Sequence, residues 1–321
     1  MSRIFVTGGS GRLGRSVVAG LAEAGHHVIS VDRDALPAEL LPAGVEQATA
    51  DLLAPGEALR LLRDARPDAV IHLAAIAVPF SAPEDVIFAT NTRLAFAVVS
   101  AATELGVPKI ITASSPTVLG YGSPAGWLPP SFPLDERTPA KPWNAYALSK
   151  LIAEQTVQMF AAAQGDRIRY AAFRPCFVIS PEEWEGAPTQ QGHTLAERLA
   201  DPALSAPALF NYVDARDVAE FLDLLLDRME SIPNGETFFV GAADALATAP
   251  LAELMPRFLP GSDAISGGLT GTSPAFSIAK AQELLGWQPK RSWRTELKSH
   301  QTLNDETSAL VTAGSGTKET S

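Results

Sequence analysis

In the run Asn144-Ala145-Tyr146-Ala147-Leu148-Ser149-Lys150, two side chains have types and spacing suited to moving a proton. Residues four apart share one face of a helix, so the Tyr146 phenol and the Lys150 ammonium would lie side by side. A free tyrosine titrates near pH ~10 and is almost wholly protonated at neutrality. A nearby cation favours the phenolate. Lowering the phenol by roughly three units takes about 4 kcal/mol. A unit charge about 4 Å away supplies roughly that much at an effective dielectric of about 20. Taken alone, the spacing describes a surface Tyr and Lys on one helix face equally well.

Upstream, Arg3-Ile4-Phe5-Val6-Thr7 reads as a strand and runs into Gly8-Gly9-Ser10-Gly11-Arg12-Leu13-Gly14. Gly8, Gly11 and Gly14 give the spacing G-x-x-G-x-x-G: a tight turn, a close approach for a pyrophosphate, and close helix–strand packing. The helix beginning near Arg12 would aim free N–H groups at phosphate, so Ser10, Arg12 and Leu13 join the glycines as candidate cofactor contacts. Asp32 ends the next strand pattern, 21 residues beyond Gly11. A carboxylate there accepts from ribose hydroxyls and repels a 2′-phosphate, which favours NAD over NADP. Arg33 keeps NADP open, since its guanidinium could neutralise that phosphate; alternatively it is a solvated loop cation. Asp51 is a candidate adenine contact or a loop carboxylate capping a helix.

These groups need a scaffold, and the chain supplies an alternating one. Ile4–Val6, Val28–Val31, Ala69–Leu73, Lys109–Thr112 and Ile168–Phe173 are short apolar runs of the kind buried on both faces of a parallel sheet. Between them lie helical patterns: Leu13, Val17, Leu21 and Ala24 before Gly25, then residues 58–63, 85–105 and 145–163, and later Asp217–Met229. This predicts an α/β fold, a doubly wound parallel (Rossmann) sheet with a small C-terminal substrate lobe. The expected division is 1–175 plus 211–232 for the dinucleotide domain and 176–210 plus 233–302 for the lobe. The polar stretch 303–321 is expected to be disordered.

Composition narrows the class. The 321 residues are 46% hydrophobic and 19% charged with net charge −11, and no basic cluster stands out. Nucleic acid and anionic membranes are therefore not expected partners. The one cysteine, Cys176, excludes an internal disulfide. The longest apolar run, 69–80, is too short to span a bilayer, and no leader pattern precedes the first strand, so a cytoplasmic protein is expected. The histidines show no metal-ligand spacing; His72 reads as a packed strand residue.

Taken in order, these segments resemble an extended short-chain dehydrogenase/reductase of the NAD-dependent epimerase/dehydratase family. The matching pieces are Thr7–Gly14, Asp32, Asp51-Leu52, His72-Leu73-Ala74-Ala75, Asn91, Ser114-Ser115 with Val118 and Gly120, Tyr146–Lys150, Arg174-Pro175, Tyr212–Asp214 with Asp217–Ala219, and Leu284–Trp287 with Pro289. The resemblance implies that Ser115 orients a substrate oxygen, Tyr146 exchanges its proton, and Lys150 lowers the tyrosine pKa and holds the nicotinamide ribose. Leu52, Leu73, Ala74, Ala75, Asn91, Pro175 and Cys176 would line or support the cofactor, although Cys176 reads equally as a small buried apolar residue. Thr117 and Asn144, beside these groups, are candidate substrate contacts. A homodimer built on the helices around 85–105 and 145–163 is also implied.

Two departures bear on the substrate. Leu119 stands where many relatives carry tyrosine, and Pro116-Thr117 where the dehydratases carry acids. Only 34 residues separate Cys176 from Asn211, and Arg198 is the only basic Lys or Arg among them. A diphosphate would find few counter-charges there. The expectation is a small sugar-like substrate (free sugar, sugar acid or polyol) oxidised with NAD. A nucleotide-sugar epimerase or dehydratase with retained NAD is the alternative. A non-enzymatic NAD(P) sensor fits less well, because such proteins typically lose the Tyr/Lys pair.

Overall fold

The strands expected from the apolar runs form in the computed structural model, which describes residues 1–297. The strands are β1 Arg3–Thr7, β2 His27–Asp32, β3 Glu46–Thr49, β4 Ala69–His72, β5 Lys109–Ala113, β6 Arg169–Pro175, β7 Val178–Ile179, β8 Val213–Asp214 and β9 Glu236–Val240. The helices are α1 Arg12–Glu23, α2 Glu57–Ala65, α3 Glu84–Glu104, α4 Ala145–Gln164, α5 Pro181–Trp184, α6 Leu195–Ala200, α7 Ala215–Arg228, α8 Leu251–Phe258, α9 Asp263–Ser266 and α10 Ala279–Leu285. Seven strands make one sheet in the order β3-β2-β1-β4-β5-β6-β9, parallel throughout. The order reverses between β1 and β4. The loops leaving these two strands therefore diverge and open the crevice where such sheets take ligands.

Alternation along the strands explains the layers. Ile4, Val6, Ala69, Ile71, Ala171 and Phe173 point to one face and pack with Val17 and Leu21 of α1 and Val218, Phe221, Leu222 and Leu225 of α7. Phe5, Val70, Ile110 and Tyr170 point to the other and meet Leu62 of α2, Leu94 and Val98 of α3 and Val157 of α4. Both faces are covered, so near-continuous apolar strands are the stable choice.

Several expectations change. Residues 236–240, placed in the lobe by their irregular surroundings, are β9, an edge of the main sheet paired with β6. The boundary at 233 therefore fails. β3 carries the mixed sequence Glu46-Gln47-Ala48-Thr49 and lacks the apolar signature of its neighbours. The stretch after Cys176 holds β7, α5 and α6. Around it Ile179, Trp184, Leu195, Tyr212, Ala242 and Leu246 form a satellite core, with Trp184 Nε1 donating to Asp214 at 2.7 Å. α7 starts two residues before Asp217 because the Asp214 carboxylate accepts from the Arg216 N–H. By length and composition α3 could cross a membrane, contrary to the reading of apolar runs, but Ile87, Leu94, Val98 and Ala102 bury one of its faces in the fold. The tail expected to be disordered lies outside the described residues.

Candidate active site

The glycine-rich turn is built by contact. Gly8 has φ 74, and a Cβ there would sit 2.7 Å from the Ala74 nitrogen at the end of β4. A Cβ on Gly14 would lie 2.0 Å from the Gly8 carbonyl oxygen. Any side chain at either position would force the turn and α1 apart. Gly11 is less constrained, its nearest neighbour being the Gly8 oxygen at 3.2 Å. It forms the N-cap of α1, and no side chain caps that end. The N–H groups of Arg12, Leu13 and Gly14 are thus aimed at the crevice with the positive end of the helix dipole.

Asp32 leaves β2 beside this turn. Its carboxylate accepts from the Ser10 N–H at 3.1 Å and the Arg33 N–H at 2.7 Å, which fixes its plane. Arg33 is exposed and forms no ion pair among the described residues. Thr7, which the sequence marks only as the strand end that opens the glycine-rich turn, closes the other side. Its Oγ accepts from the N–H groups of Leu73 and Ala74 at 3.2 and 3.3 Å, filling both lone pairs. Its own proton therefore goes to His72 Nδ1, 2.7 Å away. His72 is held as the Nε2–H tautomer, and burial, then the charge of Lys150, lower its pKa to about 3. It is a packed strand residue, and it pins the backbone of Leu73 and Ala74 against Gly8.

α4 carries the proton-moving groups. Asn144 caps it, its Oδ1 accepting from the Ala147 N–H at 2.8 Å. Tyr146 and Lys150 are both buried, with 8% and 7% of their surface exposed. The Lys150 Nζ lies 5.8 Å from the Tyr146 ring centroid and donates to the Ala113 carbonyl at 3.1 Å. The Ser115 Oγ accepts from the Thr117 N–H and hydroxyl at 3.3 and 2.9 Å, leaving its own proton to donate.

The electrostatics reverse the sequence expectation. Burial pushes the Tyr146 phenol up to about 12, with the Ser115 hydroxyl pulling the other way. Burial also lowers Lys150 to about 8. Desolvation outweighs the expected charge effect in this arrangement, and Lys150 is the first of the two to lose its proton as pH rises. Both groups lose water on burial, a cost that disfavours the charged form of each.

A buried network underlies the pair. Glu154, one turn beyond Lys150, accepts from Arg174 Nε and Nη2 at 2.7 and 2.9 Å and from Ser114 Oγ at 2.5 Å. Asn91 on α3 accepts from the Ile76 N–H and donates to the Ile76 carbonyl and to Ser149 Oγ. Both amide protons are engaged, so Asn91 braces the loop after β4 rather than contacting a cofactor. Leu52 is likewise drawn into the core with Phe5 and Ile29. Asp51 is partly committed to its own loop through the Leu53 N–H. Pro175 ends β6, and Cys176 is buried with its thiol pushed up by desolvation, which makes it inert. Of the two candidate substrate contacts, the Thr117 hydroxyl donates to Ser115 and the Asn144 oxygen caps α4.

From the lobe, Glu183 on α5 is wholly buried and joins the Arg12 guanidinium, and Glu182 pairs with Arg15 at 2.7 Å. Each lies roughly 170 positions from its partner, a separation no local pattern reveals. Arg198 is buried as well, donating to the Leu204 carbonyl and to Gln191, with its guanidinium 4.7 Å from the Phe177 ring.

Residues 4–241 match the NAD dependent epimerase/dehydratase family, and the chain belongs to that family. It is 34% identical over 173 residues to UDP-glucose 4-epimerase of Azospirillum brasilense, spanning 51% of this chain and 46% of the relative. It is 35% identical over 156 residues to 2′-dehydrokanamycin reductase of Streptomyces kanamyceticus, spanning 49% of this chain and 38% of the relative. These matches thus span less than half of either relative. Among solved structures, UDP-glucose 4-epimerase of Thermotoga maritima superimposes with a TM-score of 0.70 at 22% identity, over 95% of this chain and 99% of that one. The fold is thereby shared.

Proposed function

We propose that the protein is an NAD-dependent oxidoreductase acting on a hydroxyl or carbonyl carbon of a small sugar-like substrate. The observation that carries it is the buried Ser115–Tyr146–Lys150 group at the end of β5 and the start of α4, beside a turn whose glycines leave room for a dinucleotide. Gly8, Ser10, Gly11, Arg12, Leu13 and Gly14 would hold the pyrophosphate, Asp32 a ribose, and Leu73, Ala74, Ala75 and Pro175 the remaining length. Bound NAD supplies the hydride acceptor or donor. Ser115 orients the substrate oxygen and Tyr146 exchanges its proton, with Lys150 as the group whose charge adjusts to that exchange.

The second reading is a nucleotide-sugar epimerase that keeps its NAD. Its support is the UDP-glucose 4-epimerases among the relatives. Against it stands Arg198, the one arginine of the short segment, whose charge is turned into the protein. A panel of free sugars, sugar acids, polyols and UDP-sugars with added NAD, followed by absorbance at about 340 nm, separates the two. Stoichiometric NADH from a free sugar supports the first. UDP-glucose converted to UDP-galactose without net NADH overturns it.

A homodimer and a cytoplasmic location belong to the same proposal. Val86 and Phe96 on α3 and Leu148 and Met159 on α4 are exposed apolar residues on the two longest helices, a stripe suited to a second copy. Phe96→Asp with Met159→Asp should convert a dimer to a monomer in light scattering; an unchanged mass refutes that assembly.

A further inference from the structure

Phe80 and Trp143 form an exposed aromatic pair between the loop leaving β4 and the residues that lead into α4. Their ring centroids are 5.6 Å apart at an interplanar angle of 38°. Phe80 is 59% exposed and Trp143 37%, both unusual for such large apolar rings. Phe80 also holds φ 62, a left-handed backbone that bulky side chains seldom adopt. It lies in the loop leaving β4, the loop that Asn91 braces. Trp143 immediately precedes the α4 cap, three residues before Tyr146, and its indole donates to the Tyr121 carbonyl at 3.1 Å. The Glu84 carboxylate accepts from the Ala145 N–H at 3.0 Å and ties the end of the Phe80 loop to the first turn of α4.

We infer that Phe80 and Trp143 are the specificity-determining wall of the substrate site, taking the C–H face of a sugar ring that carries no nucleotide. This rests on the oxidoreductase reading above and names the substrate class for the same site. Aromatic faces bind an uncharged ring through apolar contact while its hydroxyls stay hydrated. The pair sits at the N-terminal end of α4, with Trp143 three residues before the proton-exchanging tyrosine and the Phe80 loop tied to the first turn of that helix. Cations that a diphosphate would need are engaged elsewhere. Arg198 is buried, Arg216 pairs with Asp214 and Glu296, Arg291 with Asp217 and Glu220, and Arg294 with Asp244. Lys141, two residues before Trp143, is exposed and matches at most one negative charge, that of a sugar-acid carboxylate.

The test uses the full chain with saturating NAD and D-glucose, D-galactose, D-galacturonate and UDP-glucose as probes. The wild type should reduce NAD with at least one of the three free sugars. Phe80→Ala and Trp143→Ala should raise its KM about fivefold to tenfold with little change in kcat, and Trp143→Phe should restore it. Alanine variants that keep the wild-type KM, or that change only the mass in solution, overturn the wall while leaving the oxidoreductase reading intact. A wild type that acts on UDP-glucose alone overturns both.

Discussion

Lys150 lies 5.8 Å from the Tyr146 ring centroid and hydrogen-bonds the Ala113 carbonyl, so its contact to the strand end is closer than its contact to the phenol. Burial pushes the tyrosine up to about 12 and lowers the lysine to about 8, so Lys150 is the first of the two to lose its proton as pH rises. That loss leaves a neutral amine beside the phenol, a base that the protonated lysine cannot be. Alcohol oxidation should rise with pH through about 8, and carbonyl reduction should fall over the same range. In Lys150→Met the rise should move toward the tyrosine value of about 12, leaving oxidation at pH 8 reduced by at least about 100-fold. A pH profile of kcat/KM that keeps its inflection near 8 in the variant would remove Lys150 from this role.

Ser115 has one free proton because Thr117 fills both of its lone pairs. Ser115→Ala should lower kcat by about 100-fold with a smaller effect on NAD affinity, as expected for a donor aimed at developing charge. Equal kcat in variant and wild type would show that the hydroxyl serves only the local turn.

The glycines of the turn should differ in tolerance. A Cβ at position 14 meets the Gly8 oxygen at 2.0 Å, whereas one at position 11 meets it at 3.2 Å. Gly14→Ala should abolish NAD binding and lower the melting temperature. Gly11→Ala should keep the fold and weaken NAD chiefly through the cofactor's own approach. Calorimetric titration with NAD alongside thermal unfolding distinguishes the two.

Asp32 is held by two backbone N–H groups, with Arg33 exposed beside it. Asp32→Ala should narrow the preference for NAD over NADP, since the carboxylate that repels a 2′-phosphate is gone while the guanidinium remains. A wild type that already prefers NADP would contradict the cofactor assignment.

Glu154 and Arg174 are 3% and 5% exposed and share two hydrogen bonds, and Ser114 donates a third to the same carboxylate. Glu154→Ala leaves a buried guanidinium without its partner and should cost about 3–5 kcal/mol of stability. Urea unfolding measures it, and a loss below about 1 kcal/mol would mean that water or another group takes the carboxylate's place.

The dinucleotide half of the molecule was legible because its signals are local. Gly8, Gly11, Gly14 and Asp32 report a turn and a strand end within one βαβ stretch, and Tyr146 and Lys150 share one helix. The missed parts depend on distance in sequence or on burial. The contact of Arg12 with Glu183 joins positions far apart along the chain, and nothing in either neighbourhood announces it. β9 sits in a stretch whose flanks look like loops, so only its pairing with β6 identifies it. Asn91 was noticed as a residue, but its task as a brace follows from where Ile76 and Ser149 come to lie. The upward push that burial exerts on Tyr146 is visible only in the fold, because the spacing of two charges says nothing about the water each has lost.

Cys176 is the only thiol in the sequence, and it is sealed beside Val240 and Gly241. A cysteine introduced at any exposed position would consequently be the sole site open to alkylating dyes or spin labels. Placed on α5, such a probe would report on the segment whose Glu182 and Glu183 pair with Arg15 and Arg12 of α1, without background from the buried thiol.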